Sequence, residues 1–121
     1  MPRPILDESN IHAAIKDKIA SHEQGIVREV QAAVAKYPVV VVGMSMNPFP
    51  KKARQALDDA GVTYQYMEYG SYFSFWRQRN ALKLWTGWPT MPLIFVKGML
   101  VGGADNLVKL IDSGELKKML A

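Results

Sequence analysis

The sequence predicts an α/β domain in which a small mixed β-sheet is flanked by helices on both faces. Three observations lead to this prediction. Four consecutive valines at 39–42 are typical of a strand buried on both faces of a sheet. A helical pattern separates this run from an alternating strand at 63–68, which predicts a parallel pair. Two short apolar runs flank Lys97-Gly98 and predict an antiparallel hairpin.

The composition is that of one ordinary globular domain. The chain has 121 residues, of which 49% are hydrophobic and 21% charged, and this excludes a disordered chain or a fibrous repeat. A chain of this length buries roughly two thirds of its unfolded surface, so it can hold a core without staples. It contains no cysteine. Disulfides, thiolate metal sites and cysteine nucleophiles are therefore excluded.

The charge is mildly basic and unevenly distributed. The net charge is +4, and the first 38 residues are neutral, so the whole excess lies in residues 39–121. One interpretation is a small anionic ligand, and the other is a solvated basic surface. The sequence has no basic run typical of nucleic-acid binding and no apolar run of the length of a membrane span or signal peptide. We expect a cytoplasmic protein that binds neither nucleic acid nor membranes.

Two short helices are predicted before the first strand. The apolar stripe of the first consists of Ile11, Ile15 and Ile19. Residues 21–24 have the form of a capping box and open a second apolar stripe, which Pro38 ends. We expect both helices to pack their apolar faces on the rest of the chain, as an extension over 1–37 of a domain over 38–121. His12 and His22 are interpreted as surface residues, and no metal site is expected.

Three helices are predicted after the first strand. Residues 45–50 form a loop that leads into a helix from 51 to about 60. Gly70-Ser71 introduces a longer, aromatic-rich helix that ends near 85, with Gly87 as its left-handed C-terminal cap. The last helix begins near Ala104, after Gly102-Gly103, with a break expected at 113–114.

Three segments in register carry a family resemblance. Residues 88–92 read Trp-Pro-Thr-Met-Pro, the strand, loop and helix at 39–57 precede them, and 102–105 read Gly-Gly-Ala-Asp. On these residues the region 38–121 resembles a glutaredoxin, and the middle segment is similar to the Trp-Pro-Thr-x-Pro segment of monothiol glutaredoxins. The resemblance implies a thioredoxin fold of the glutaredoxin type, with a four-stranded mixed sheet and a cis Pro92.

The departure from the family lies at the active-site turn. Where glutaredoxins carry Cys-Pro-Tyr-Cys or Cys-Gly-Phe-Ser, this chain has Asn47, Pro48, Phe49 and Pro50. Asparagine followed by proline is a good helix start, because the side chain accepts a backbone N–H and proline at the first position loses no bond. Pro48 and Pro50 carry no N–H, so this helix end is also a poor anion site. Thiol–disulfide exchange requires a thiolate, and we therefore expect none from this chain.

The resemblance implies a groove for glutathione. Its backbone at Met91 beside Pro92 would pair with the peptide-like part of the ligand. The N–H groups of Ala104 and Asp105 would hold the γ-glutamyl carboxylate, with the Asp105 side chain facing the amine. The implied groove residues are Arg79, Met91, Pro92, Gly103, Ala104 and Asp105. Arg79 matches the family's arginine that reaches the glycyl carboxylate of glutathione. Three of these residues have alternatives: Asp105 as a helix-capping charge, Arg79 as a solvated helix residue, and Gly103 as part of a strand exit.

Three functions follow from this pattern. The first is a noncatalytic binding module that retains a groove for glutathione or a peptide. The second is a transferase-like enzyme that uses the thiol of glutathione, with a hydroxyl such as Ser45 or Tyr69 assisting its ionisation. The third is an interaction domain or homodimer that uses the aromatic segment 64–76. The aromatic residues of that segment are Tyr64, Tyr66, Tyr69, Tyr72, Phe73, Phe75 and Trp76.

Overall fold

The computed structural model describes residues 3–71 and 73–121. A 3₁₀ turn at Glu8–Asn10 precedes the regular elements. The helices are α1 (Ala13–Ser21), α2 (Gln24–Lys36), α3 (Pro48–Asp59), α4 (Trp76–Thr86), α5 (Ala104–Asp112) and α6 (Glu115–Leu120). The strands are β1 (Val39–Gly43), β2 (Gln65–Glu68), β3 (Leu93–Val96) and β4 (Met99–Gly102).

The four strands form one mixed sheet in the order β2-β1-β3-β4. β1 pairs in parallel with β2 and antiparallel with β3, and β3 pairs antiparallel with β4. The predicted parallel pair and hairpin are both confirmed. Lys97 and Gly98 both have positive φ angles, 51° and 82°, as a two-residue hairpin turn of this hand requires. Every residue of β1 is buried, as the valine run predicts.

Alternation along β1 divides the core between the two faces of the sheet. Val40 and Val42 pack with α2 and α4 on one face. Val39 and Val41 pack with α3, α5 and α6 on the other. α3 and α5 are thus held side by side on one face, and their N-termini come to the same end of the sheet as the residue after β1, Met44.

The N-terminal helices differ in how they pack. α2 buries its predicted stripe at Ile26, Val30 and Ala33. For α1 the prediction is wrong: it has no buried residue, and Ile15 and Ile19 are 48% and 54% exposed. α2 and α4 already cover this face of the sheet, and α1 adds no buried residue to the core there. The predicted capping box at Ser21 is also wrong, because the N-cap of α2 is Glu23, whose side chain makes no capping hydrogen bond. The boundary at 37/38 stays a prediction.

The aromatic-rich helix is shorter than predicted. α4 begins at Trp76, because Ser71 and Ser74 form a local turn first. The Ser71 N–H donates to Ser74 Oγ (3.1 Å), the Ser74 N–H donates to the Ser71 carbonyl (3.2 Å), and the Phe73 N–H donates to Ser71 Oγ (3.2 Å). Serine side chains that bond nearby backbone in this way compete with helix formation. The predicted left-handed cap at Gly87 is confirmed by its φ of 79°.

The C-terminal helix is interrupted at Ser113-Gly114 into α5 and α6, as predicted. Within the described ranges, no helix has both the length and the apolar character needed to cross a membrane. The cytoplasmic location stays a prediction.

Candidate functional site

A groove opens beyond the carboxyl end of β1, between the first turns of α3 and α5. Its volume is about 480 Å³. Two helix starts and the segment before β3 line it, together with single residues from α4 and the end of β1. The lining residues that bear on the argument are Asn47, Phe49, Met91, Pro92, Gly103, Ala104 and Asp105. All the predicted groove residues except Arg79 therefore lie in this groove. Asn47 and Phe49 of the altered active-site turn line it as well.

The first three residues of α3 offer no free N–H to a ligand. Asn47 is its N-cap, and the Phe49 N–H donates to Asn47 Oδ1 at 2.9 Å. Pro48 and Pro50, on either side of Phe49, have no N–H to offer. The helix therefore begins at Pro48, three residues earlier than predicted, and the only N–H among its first three positions is already used. Pro50 is also buried against Gly43, where an added Cβ would lie 2.7 Å from the proline Cβ.

The N-terminus of α5 is open. The Gly103 N–H donates to Asn106 Oδ1 at 3.2 Å, which satisfies the donor just before the helix. The N–H groups of Ala104 and Asp105 fall in the first turn and have no intrahelical acceptor. Within the described parts of the chain, no hydrogen bond uses either of them. Free N–H groups at the positive end of a helix dipole favour a carboxylate.

The backbone between the two helix starts is also open. The Met91–Pro92 peptide is cis, as the resemblance implies. The backbone N–H and carbonyl of Met91 have no hydrogen-bond partner among residues 3–71 and 73–121. The indole nitrogen Nε1 of Trp88 is buried without a hydrogen-bond partner in the described structure and lies 3.6 Å from an ideal Cβ built on Gly103. The groove thus presents the unpaired backbone of Met91 near the indole of Trp88.

The side chain of Asp105 is engaged in an ion pair. Lys52 Nζ, on α3, lies 2.8 Å from Asp105 Oδ1, and both side chains are exposed at the rim of the groove. The hydrogen bond from Lys52, together with its positive charge, lowers the pKa of Asp105 below its ordinary value. Asp105 is therefore a carboxylate at neutral pH.

Comparison with known proteins identifies the family of this fold and groove. The sequence model of the glutaredoxin family matches residues 39–101. A glutaredoxin-like protein of Dictyostelium discoideum is 42% identical over 102 residues, which cover 84% of this chain and 83% of that protein. The chain belongs to the glutaredoxin family. Glutaredoxin-C1 of Arabidopsis thaliana is 30% identical over 95 residues, 78% of this chain and 76% of that glutaredoxin.

Solved glutaredoxins share the fold. Oxidized glutaredoxin 2 of Chlamydomonas reinhardtii superimposes with a TM-score of 0.70 at 28% identity, covering 81% of this chain and 92% of that one. A buckwheat glutaredoxin in complex with glutathione gives a TM-score of 0.70 at 24% identity, covering 82% of this chain and 90% of that one, a likeness of fold alone. The predicted thioredoxin fold of the glutaredoxin type is confirmed. This chain departs from the family's active-site motif in having no cysteine.

Arg79, unlike the other predicted site residues, bonds backbone carbonyls near the start of its own helix. It is buried on α4, and its Nη1 donates to the carbonyls of Tyr69 (2.9 Å) and Ser74 (2.6 Å). It does not line the groove. These bonds fix the turn before α4 to the end of β2. The role of Arg79 toward a ligand carboxylate stays a prediction.

The two hydroxyls considered for thiol ionisation also lie outside the groove of this glutaredoxin-family chain. Ser45 Oγ donates to the Gly70 carbonyl at 2.9 Å. Tyr69 Oη donates to Glu29 Oε1 at 2.8 Å, and burial raises the pKa of this phenol above its ordinary value, with the Glu29 hydrogen bond adding to the shift. A phenol held protonated next to a carboxylate is a poor donor to a developing thiolate.

The aromatic segment is divided between core and surface. Tyr64, Tyr66 and Tyr69 pack against the two core clusters. Phe73 is 86% exposed, and Phe75 and Trp76 are about half exposed. Tyr72 lies outside the described residues. The exposed aromatics follow β2 at the same end of the sheet as the groove, because the Ser45 N–H bonds the Gly70 carbonyl at 2.8 Å.

Sequence reasoning missed two residues that line the groove and one that contacts its rim. Lys52 reaches Asp105 from another helix, which no local spacing reveals. Lys83 lines the groove from α4. Asn106 could have been found, since a polar residue three positions after a helix N-cap commonly bonds back to the cap N–H.

Proposed function

We propose that this member of the glutaredoxin family is a noncatalytic binding module. It has no thiol–disulfide exchange of its own and uses its groove to hold glutathione or the end of a peptide with similar groups. One observation carries the proposal: the donors at Ala104, Asp105 and Met91 are open, while Asn47 stands in place of the thiol and the first three residues of α3 offer no free N–H.

The chemistry of the groove matches the ends of such a ligand. The first-turn N–H groups of α5 suit a carboxylate. The free N–H and carbonyl of Met91 suit a peptide group, in the manner of an added strand. Asp105 supplies negative charge beside the carboxylate position, as an α-amino acid end requires. The groove has no thiol, so binding without thiol exchange is the function that these groups support.

Isothermal titration calorimetry tests the proposal with two ligands. We expect glutathione to bind saturably, and an analogue with a methyl group in place of the thiol to bind within about twofold, because no cysteine is present to meet the sulfur. A mixed-disulfide exchange assay should run at the rate of buffer alone. If neither ligand binds, the proposal is overturned. If the analogue binds at least tenfold more weakly than glutathione, the result would point to chemistry at the thiol.

An interaction surface is a second candidate, favoured by the exposure of Phe73, Phe75 and Trp76. Apolar side chains clustered at one end of a domain are typical of a contact with another protein or a second copy. Analytical ultracentrifugation of the wild type and Phe73→Ser tests the homodimer form. If the wild type is a dimer and Phe73→Ser is a monomer, the homodimer hypothesis is supported. If the wild type is a monomer at high concentration, that hypothesis is excluded. Glutathione binding should be equal in both proteins.

A further inference from the structure

The ion pair between Lys52 and Asp105 connects α3 and α5, the two helices whose N-termini border the groove. Lys52 lies in α3, one turn beyond the altered active-site turn, and Asp105 is the second residue of α5. Asp105 lines the groove, whereas Lys52 does not, so the ammonium approaches the carboxylate from outside the cavity. The side chains are 53% and 69% exposed, which places the pair at the rim.

The core fixes the two helices that carry this pair. Ala53 and Leu57 of α3 are fully buried in one cluster with Leu107 of α5. Lys52 directly precedes Ala53, and it therefore emerges beside the first turn of α5. The approach of Lys52 to Asp105 is thus built on packed helices and does not depend on a mobile loop.

The ion pair changes what Asp105 can do for a ligand. A ligand ammonium that approaches Asp105 meets a second ammonium already 2.8 Å from one carboxylate oxygen. Two positive charges on one carboxylate repel, so the ligand must displace Lys52 or bind with less attraction. The N–H groups of Ala104 and Asp105 are not involved in the pair. They remain equally able to bind a carboxylate.

We propose that Lys52 determines the ligand preference of this groove by competing with the ligand's ammonium for Asp105. The inference rests on the proposed function and deepens it. The wild-type groove discriminates weakly between a ligand with an α-ammonium beside its carboxylate and one with the carboxylate alone. Without Lys52, Asp105 would favour the ammonium and disfavour the ligand that lacks it.

The test compares two ligands on three proteins. The ligands are glutathione and its deaminated analogue, which has hydrogen in place of the α-amino group. The proteins are the wild type, Lys52→Ala and the control Lys51→Ala. Lys51 is an exposed neighbour on α3 with no ion-pair partner in the described structure, so its substitution removes the same charge without freeing Asp105. Alanine suits an exposed helix position, and amide spectra check that both variants stay folded.

We expect Lys52→Ala to bind glutathione about two- to fivefold more tightly than Lys51→Ala, the range that an exposed ion pair supports. The deaminated analogue should bind Lys52→Ala no more tightly than Lys51→Ala. Equal effects of the two substitutions on both ligands would overturn the inference and leave the proposed function standing. Weaker binding of both ligands to Lys52→Ala alone would also overturn it, since Lys52 would then hold a ligand carboxylate. Failure of both ligands to bind any of the three proteins would overturn the proposed function itself.

Discussion

Two helix N-termini border the same groove, and they differ in what they offer a ligand. At α3, Pro48 and Pro50 have no N–H, and the N–H of Phe49 is taken by Asn47. At α5, the N–H groups of Ala104 and Asp105 are unused within residues 3–71 and 73–121. Both helices have the same sense of dipole. A helix start therefore becomes an anion site through free N–H groups directed at the ligand, and the dipole alone does not suffice.

The start of α3 lacks two features that thiol exchange needs. Exchange chemistry needs a thiol and N–H groups that stabilise its thiolate. Asn47 replaces the thiol, and the prolines with the capped Phe49 remove the donors. Restoring the thiol alone should therefore give a weak nucleophile.

Asn47→Cys should create exchange activity where the wild type has none. With a thiol pKa near the ordinary 8.5, only about 3% of the cysteine is thiolate at pH 7. Adding Pro50→Ala supplies one N–H and should lower that pKa, so the double variant reacts faster with a disulfide dye. Pro50→Ala alone is the inactive control. A single Asn47→Cys variant with a thiol pKa well below 7 would show that the α3 end stabilises anions and would break the comparison.

Ala104→Pro should make α5 resemble α3. Proline is tolerated at the first helical position but removes one of the two open donors. Losing a hydrogen bond to a charged group weakens glutathione binding about tenfold or more, which calorimetry would measure. Ala104 is buried, so Ala104→Gly, which keeps the N–H, serves as the control and should bind like the wild type. Unchanged binding by folded Ala104→Pro would show that this N–H does not hold the ligand.

Asn47→Ala should lower the free energy of unfolding by about 1 kcal/mol, the usual contribution of an N-cap side chain. Asn47→Asp keeps an acceptor for the Phe49 N–H and should retain most of that stability. Urea denaturation with a common slope would compare the three proteins. Equal stability of the wild type and Asn47→Ala would mean that water replaces the cap at no cost.

Lys52→Ala should raise the pKa of Asp105 toward its ordinary value, because Lys52 is the main cause of the lowering. A carboxyl with a depressed folded-state pKa stabilises the fold above its unfolded pKa, and this contribution is lost as pH falls through the folded value. A carbon-detected NMR titration of the Asp105 carboxyl measures the shift. An unchanged pKa in Lys52→Ala would show that the pair is not maintained in solution.

Local patterns in the sequence predicted the features whose cause is local. The valine run gave β1, and Asn47 before Pro48 predicted the N-cap that the Phe49 hydrogen bond confirms. The break before α6 followed from Ser113-Gly114. Each of these depends on backbone preference or a neighbour within a few residues.

Features that depend on contacts between distant elements were not predictable in this way. The stripe of α1 has the right period, but α2 and α4 already cover that face of the sheet and α1 buries no residue. Arg79 has the position implied by the resemblance, yet its guanidinium bonds the Tyr69 and Ser74 carbonyls. Lys52 meets Asp105 across 53 residues of sequence only because α3 and α5 pack together. Side-chain partners of this kind are decided by packing.

The measurement that tests the central claim most directly is a glutathione titration of isotope-labelled protein followed by amide NMR. We expect saturable shifts at the amides of Met91, Ala104 and Asp105, with much smaller shifts at Phe49, whose N–H is capped by Asn47. Saturable shifts largest at Phe49 and Lys51, or none at Ala104 and Asp105 at high millimolar glutathione, would contradict it.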